Sequence, residues 1–384
     1  MSYPRTWDIY CRVVDNYGDI GVCWRLARLL ARRPGAIVRL WVDDLASLRM
    51  LAPETDTTFA VQNVAGIEVH CWTAPLPDVT PADVCIEGFG CGLPEPYVVA
   101  MVQRTPRTLW IVLEYLSGEP WVREYHGLAS PHPQWPLQRY FFFPGFERGT
   151  GGLLREADLL ERQERYAAGQ RQRYWTEIGF RPPPDDARVV SIFGYPYAPL
   201  LPLLEHWSRA EGSWIAAVPV GALATEAARY FGAARADPGV CLRRGNVELR
   251  VLPFVPQDRF DEFLWCCDCN FVRGEDSFVR AQWAQRPFVW HIYPQDAEAH
   301  RLKLEAFLDL YCAALPASIA DAVQGLWRAW NQLGATPVAV GPAWARYWAA
   351  RENLLAHGRT WARQLAAVGE LAENLAQFCR DKLK

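Results

Sequence analysis

No stretch of this chain reaches the ~18 consecutive uncharged apolar residues that a membrane-spanning helix requires. The first residues also lack the basic start, apolar run and small-residue cleavage site of a signal peptide. A cytoplasmic protein without a membrane partner is expected. Neither sign of charge is in excess: 40 Lys and Arg stand against 43 Asp and Glu, a net charge of −3. Broad attraction to nucleic acid or anionic lipid is therefore not expected, and a partner must be read by local chemistry. Low-complexity segments and short-period repeats are absent. A complete metal motif is missing as well. Cys266 and Cys269 stand at C-x2-C spacing, but no second Cys/His pair follows at a suitable distance. The eleven cysteines are an odd, scattered set, many inside apolar runs, and read as buried free thiols. The histidines form no Ser/His/Asp or Cys/His arrangement by spacing. His291 and His300 merely flank Tyr293-Pro-Gln-Asp296.

What is present is globular. Half the residues are apolar and 13% aromatic, and 384 residues suggest two or three domains of roughly 150 residues each. The first half alternates strand and helix signals. Strands are expected at 7–14, 36–42, 84–87, 107–113 and 140–143. A helix is expected at 22–33, where Cys23, Leu26, Ala27 and Leu30 share one face. Residues 153–186 are charged and end in Arg181-Pro-Pro-Pro-Asp-Asp186, which breaks any helix. The second half repeats the alternation, with strands at 188–193, 214–218, 247–252, 269–272 and 287–291 and helices at 198–209, 257–265 and 277–285. From Pro316 onward the chain is mostly helical. This pattern predicts two doubly wound α/β domains, 1–152 and 187–359, joined by a linker at 153–186. A C-terminal helix at about 360–384 packs back on the first domain. A cleft lies between the domains, and ligands belong at the carboxyl ends of the strands.

Four groups of loops follow strands. Asp15-Asn-Tyr-Gly-Asp-Ile-Gly21 is not a G-x-G-x-x-G fingerprint, and its carboxylates repel phosphate. It is either a turn in which Asp19 caps the helix or a seat for a cationic or hydroxyl-bearing acceptor. In Phe271-Val-Arg-Gly-Glu-Asp-Ser277 a strand ends, a Gly turn follows and a helix begins. Free N–H groups at a helix start, with Arg273 beside them, suit a diphosphate. Glu275 and Asp276 are able to accept from sugar or ribose hydroxyls, and the alternative is an ordinary Asp/Ser cap. Phe193-Gly-Tyr-Pro-Tyr197 and Pro253-Phe-Val-Pro-Gln257 carry rings that are either core or a nucleobase platform. Gly88–Gly92, Glu114–Glu119 and Pro144–Gly152 are glycine-dense loops of the first domain, read as the acceptor side or as flexible turns.

Asp15-Asn-Tyr-Gly-Asp-Ile-Gly-Val-Cys-Trp-Arg-Leu26, Phe271–Phe278, Pro287–Asp296, Pro144-Gly-Phe and Thr150-Gly-Gly-Leu-Leu-Arg155 together resemble the EarP family of protein-arginine rhamnosyltransferases, in order and over nearly the whole chain. The resemblance implies a GT-B-type fold, two Rossmann-like domains facing a central cleft. It implies an inverting, metal-independent transfer from dTDP-β-L-rhamnose to a loop arginine of elongation factor P, activating it for ribosomes stalled at polyproline, with no cofactor beyond the donor. It implies essential carboxylates at Asp15, Asp19 and Glu275. Donor contacts are implied at Phe193, Tyr195, Phe254, Gln257, Arg273, Asp276, Ser277 and Tyr293. The residues alone leave open a GT-B enzyme using another nucleotide sugar and a small acceptor, or a nucleotide-binding protein without activity.

Overall fold

A computed structural model of the chain describes residues 4–15, 17–72, 76, 78–166, 168–294, 299–333 and 339–383. Asn16 of the acidic loop and Gln295 and Asp296 of the Tyr293–Asp296 stretch lie outside the described residues. The chain divides into two compact units, one formed by residues 1–156 with 364–384, the other by 157–363.

Unit 1 runs β1 (Thr6–Cys11), α1 (Gly18–Ala31), β2 (Ile37–Val42), α2 (Leu45–Leu51), β3 (Val61–Val64), β4 (Ile67–Cys71), β5 (Val84–Gly88), α3 (Glu95–Gln103), β6 (Leu109–Leu113), α4 (Trp121–Tyr125), β7 (Ala129–Pro131) and β8 (Gln138–Phe142). The sheet order is β3-β4-β2-β1-β5-β6-β8-β7. All pairs are parallel except β3–β4 and β7–β8 at the two edges. Both faces of the central strands are buried, as parallel sheets require. On β1, Trp7, Ile9 and Cys11 join one apolar cluster, while Tyr10 joins another on the opposite face. The edge strands β3 and β7, and β4 beside β3, lie outside the expected set because their signal is weak. β3 is largely exposed, and its pairing with β4 depends on Ala65 and Gly66 at φ 50° and 83°, the left-handed pair of a tight hairpin.

Unit 2 runs α5 (Leu159–Glu164), α6 (Ala168–Glu177), β9 (Arg188–Ile192), α7 (Leu200–Arg209), β10 (Trp214–Pro219), α8 (Ala222–Tyr230), β11 (Cys241–Arg244), β12 (Val247–Leu252), a 3-10 turn (Gln257–Arg259), α9 (Phe260–Trp265), β13 (Cys269–Arg273), α10 (Asp276–Trp283), β14 (Phe288–His291), α11 (Ala299–Cys312), α12 (Ala317–Trp330), α13 (Val340–Ala349) and α14 (Arg351–Val368), whose last turns belong to unit 1. The sheet order is β11-β12-β10-β9-β13-β14, parallel but for the β11–β12 hairpin. α15 (Leu371–Lys382) belongs to unit 1, where Leu371, Leu375 and Cys379 are fully or almost fully buried in the core with α1 and β1.

The expected linker at 153–186 does not exist as such. Leu154 is part of the unit 1 core, and Tyr174, Trp175 and Phe180 are buried in unit 2 against Phe263, Cys266 and Cys267. The charged residues of this stretch had concealed an aromatic face. The second unit accordingly starts at 157 and extends to 363.

Each sheet reverses its strand order at one place, β1/β5 in unit 1 and β9/β13 in unit 2. The loops leaving the carboxyl ends of these strands border a crevice, the place where open α/β sheets hold ligands.

Candidate functional site

The first crevice is acidic. Helix α1 starts at Gly18, four residues earlier than its apolar periodicity predicts, so Asp19 lies in its first turn. Asp19 does not cap the helix: the N-cap is Tyr17, with no side-chain cap bond. Instead Asp19 Oδ2 accepts the backbone N–H groups of Val14 (2.8 Å) and Asp15 (2.9 Å), which precede the helix. Asp19 Oδ1 accepts the Tyr115 hydroxyl at 3.2 Å. Only 2% of Asp19 is exposed. Asp15 closes the loop through its own carbonyl, which accepts Gly18 N–H at 2.6 Å. A Cβ on Gly18 would stand 3.0 Å from Asp15 Oδ2, which keeps this position small.

Tyr115 follows β6, and its ring stacks on Phe89, with centroids 4.4 Å apart and planes 19° apart. Phe89 follows β5 and has φ 56°, a rare backbone state for a ring-bearing residue. Both rings fall within loops expected on the acceptor side, yet neither was singled out by the sequence. The usable signal is position: Phe89 directly follows β5 at the β1/β5 reversal, and Tyr115 lies two residues past the end of neighbouring β6.

The second crevice is cationic. Arg273 ends β13, and its guanidinium lies over the rings of Phe193 (4.7 Å) and Tyr195 (4.8 Å), both just past β9. A flat cation held between two rings is fixed without an ion pair. Tyr195 also meets Tyr293 edge-on at 5.5 Å, so the loop after β14 joins the group. Ser277 is turned inward: its hydroxyl donates to the Arg273 carbonyl and accepts Arg273 N–H at 3.2 Å, pinning the turn from β13 into α10. Gly274 carries that turn at φ 62°. α10 starts at Asp276 with Glu275 at the N-cap, whose side chain does not cap the helix. Asp276 Oδ2 accepts Gln257 Nε2 (3.0 Å) and Arg280 Nε (2.9 Å), and Arg280 reaches Asp261 at 2.7 Å. This buried network fixes Gln257, 3% exposed, beside the start of α10. Phe254, half-buried, sits between β12 and Gln257. A small pocket at the carboxyl ends of β9 and β10 is lined by Phe193, Gly194, Val218, Gly221, Leu223 and Arg273.

His291, which carried no signal in the sequence, is buried at the end of β14. Its Nδ1 accepts Tyr195 N–H at 3.2 Å. Burial and the neighbouring Arg273 hold its pKa down to about 3, so the ring stays neutral.

Among the described residues no group of three or more His, Cys, Asp or Glu side chains could hold a metal ion. Cys266 and Cys267 belong to the unit 2 core, and burial pushes the Cys266 thiol up to about 12. Buried thiols of this kind are unreactive. No described helix is long and apolar enough to cross a membrane.

Two mostly parallel α/β units, each with polar loops at its strand-order reversal, have the fold of GT-B-type glycosyltransferases. A glycosyltransferase from Rickettsia africae shares the fold, with a TM-score of 0.53 at 7% identity over 99% of this chain and 97% of that one. The chain belongs to the EarP family: the family model described as Elongation-Factor P (EF-P) rhamnosyltransferase EarP matches residues 7–380. Protein-arginine rhamnosyltransferases of Pseudomonas aeruginosa and Pseudomonas putida are 44% and 46% identical to it, each over 98% of this chain and 100% and 99% of their own lengths. A solved structure described as the structural basis for EarP-mediated arginine glycosylation of translation elongation factor EF-P has 34% identity and a TM-score of 0.68, covering 98% of this chain and 99% of that one. The chain is a rhamnosyltransferase acting on protein arginine.

Proposed function

We propose that the chain transfers L-rhamnose from dTDP-β-L-rhamnose to a loop arginine of elongation factor P, in one displacement that inverts the anomeric centre and uses neither metal nor cofactor. Elongation factor P is named for the similar solved EarP structure and in the family description. The observation that carries this reading is the buried Asp19 carboxylate, held by two backbone N–H groups and a phenol in a loop too acidic for phosphate. Such a loop suits a guanidinium.

A protonated guanidinium has a pKa above ~12 and no lone pair free to attack. An ordinary carboxylate, near ~4, does not deprotonate it in advance. Asp19 therefore accepts the proton as the N–C bond forms and the nitrogen becomes far more acidic. Asp15 holds the guanidinium by charge-assisted hydrogen bonds. The diphosphate leaves with the electron pair of the anomeric C–O bond. Arg273 and the N–H groups at the start of α10 stabilise that charge. Phe193, Phe254 and Tyr293 supply aromatic faces for the thymine, buried Tyr195 backs Arg273 on the donor side, and Gln257, held by Asp276, reads the base edge. Glu275 orients the sugar hydroxyls, and Ser277 keeps the turn that aims Arg273.

Two variants separate the halves of the reaction. Asp19→Asn should keep dTDP affinity and lose transfer by at least a hundredfold. Arg273→Ala should weaken dTDP binding by about 1.5–3 kcal/mol in calorimetry. Normal transfer by the first variant, or normal dTDP affinity in the second, removes that residue from its assigned role.

A further inference from the structure

The two oxygens of Asp19 are not equivalent. Oδ2 is occupied by two backbone donors, Val14 N–H and Asp15 N–H. Oδ1 accepts from the Tyr115 hydroxyl. A carboxylate offers about four lone-pair sites, so the oxygen with two donors has little left to give, while the other retains a site. We propose that Tyr115, braced by Phe89, is a positioning residue that fixes the Asp19 carboxylate so that Oδ1 is the oxygen receiving the acceptor's proton. This rests on the reading of Asp19 as the base.

Two backbone bonds restrain Oδ2, but hydrogen bonds tolerate tens of degrees of misalignment, so small rotations about Cβ–Cγ still shift Oδ1. The Tyr115 bond to Oδ1 removes that freedom. Tyr115 must itself be held, and Phe89 does so by stacking. Phe89 is in turn locked. Its N–H donates to Leu113 O at 2.7 Å, tying β5 to β6, and its φ is 56°. Gly88, just before it, passes so close to β1 and α1 that a Cβ there would lie 2.9 Å from Tyr10 O and 3.0 Å from Cys23 Sγ. A ring in a left-handed backbone state persists only where its surroundings impose it, and such outliers gather at functional sites. The bracing runs from β5 and β6 through Phe89 and Tyr115 to Asp19 on α1, so two strand ends fix one oxygen. The balance of the step is simple. The guanidinium N–H bond breaks and its proton passes to Oδ1. The nitrogen lone pair forms the N–C bond, and the C–O electron pair leaves with the diphosphate.

The test is steady-state kinetics on the full-length protein with its protein acceptor. The variants are Tyr115→Phe, Phe89→Leu, Phe89→Tyr and the double variant Phe89→Leu/Tyr115→Phe. Tyr115→Phe removes one oxygen atom and should lower kcat by about tenfold, with KM for donor and acceptor within about twofold. Phe89→Leu should lower kcat similarly, Phe89→Tyr should recover most of that loss, and the double variant should be no slower than the worse single one, because both act through one oxygen. An unchanged or raised kcat in Tyr115→Phe overturns the inference, as does a rise in acceptor KM at constant kcat. If Phe89→Leu fails to fold, Tyr115→Phe alone still decides. Asp19→Asn keeps the two failures apart. If it is inactive while Tyr115→Phe is normal, the base stands and the positioning falls. If it is active, the base itself falls.

Discussion

His291 shows how a single side chain sets conditions for a site without touching its chemistry. Its ring is neutral because burial and Arg273 hold its pKa near 3, against 6.5 for a free histidine. The unfolded chain therefore binds a proton between pH 6.5 and about 3 that the folded chain refuses. Stability rises with pH across that window and is lost as pH falls through it. Replacing His291 by Asn keeps an acceptor for Tyr195 N–H and removes the titration. Denaturant unfolding measured from pH 7 to 4 should then show a shallower acid decline than the parent, and an identical decline would contradict a buried neutral His291. Asp15, Asp19 and Arg273 stand out in the sequence as charged residues on loops after strands, though a turn or a helix cap explains them equally well there. Tyr115, Phe89 and His291 do not stand out. An aromatic ring or a lone histidine beside apolar residues looks like core until its partner is seen, and the partners here lie 96, 26 and 96 positions away for the pairs Tyr115–Asp19, Phe89–Tyr115 and His291–Tyr195.

At the scale of elements, the central parallel strands were legible because they are buried on both faces and read as continuous apolar runs. The start of α1 was misplaced by four residues, since Gly18 and Asp19 look like loop. The helix reaches them because Asp19 satisfies N–H groups ahead of it. The stretch at 153–186 reads as a linker in the sequence because its charge hides Tyr174, Trp175 and Phe180, whose burial appears only once α9 packs on it. The C-terminal helix was expected on the first domain, and α15 is built for it. Leu371, Leu375 and Cys379 repeat at four-residue spacing and share its buried face with Ala372 and Ala376. Leu375 is fully buried in the unit 1 core. Leu375→Ala should cost about 2–4 kcal/mol of unfolding free energy. That loss is measured by urea titration, and a cost below ~1 kcal/mol would mean that α15 is not part of the unit 1 core.

At the scale of the molecule, the two units carry opposite chemistry on the same kind of scaffold. Unit 1 carries carboxylates in the loop and helix start after β1, and unit 2 ends β13 in a guanidinium, each at its sheet's reversal point. The proposed transfer uses that division: one site would hold the leaving diphosphate, and the other would take the proton from arginine. The fold class follows from the alternation of strands and helices, and the identity of the sugar does not, since nothing in charge or spacing distinguishes one deoxyhexose from another. Intact-mass analysis of elongation factor P, incubated with this protein and dTDP-β-L-rhamnose, tests the account most directly. One deoxyhexose should be added, on a loop arginine, and the addition should vanish with Asp19→Asn. An acceptor of unchanged mass, with active protein and intact donor, would contradict it.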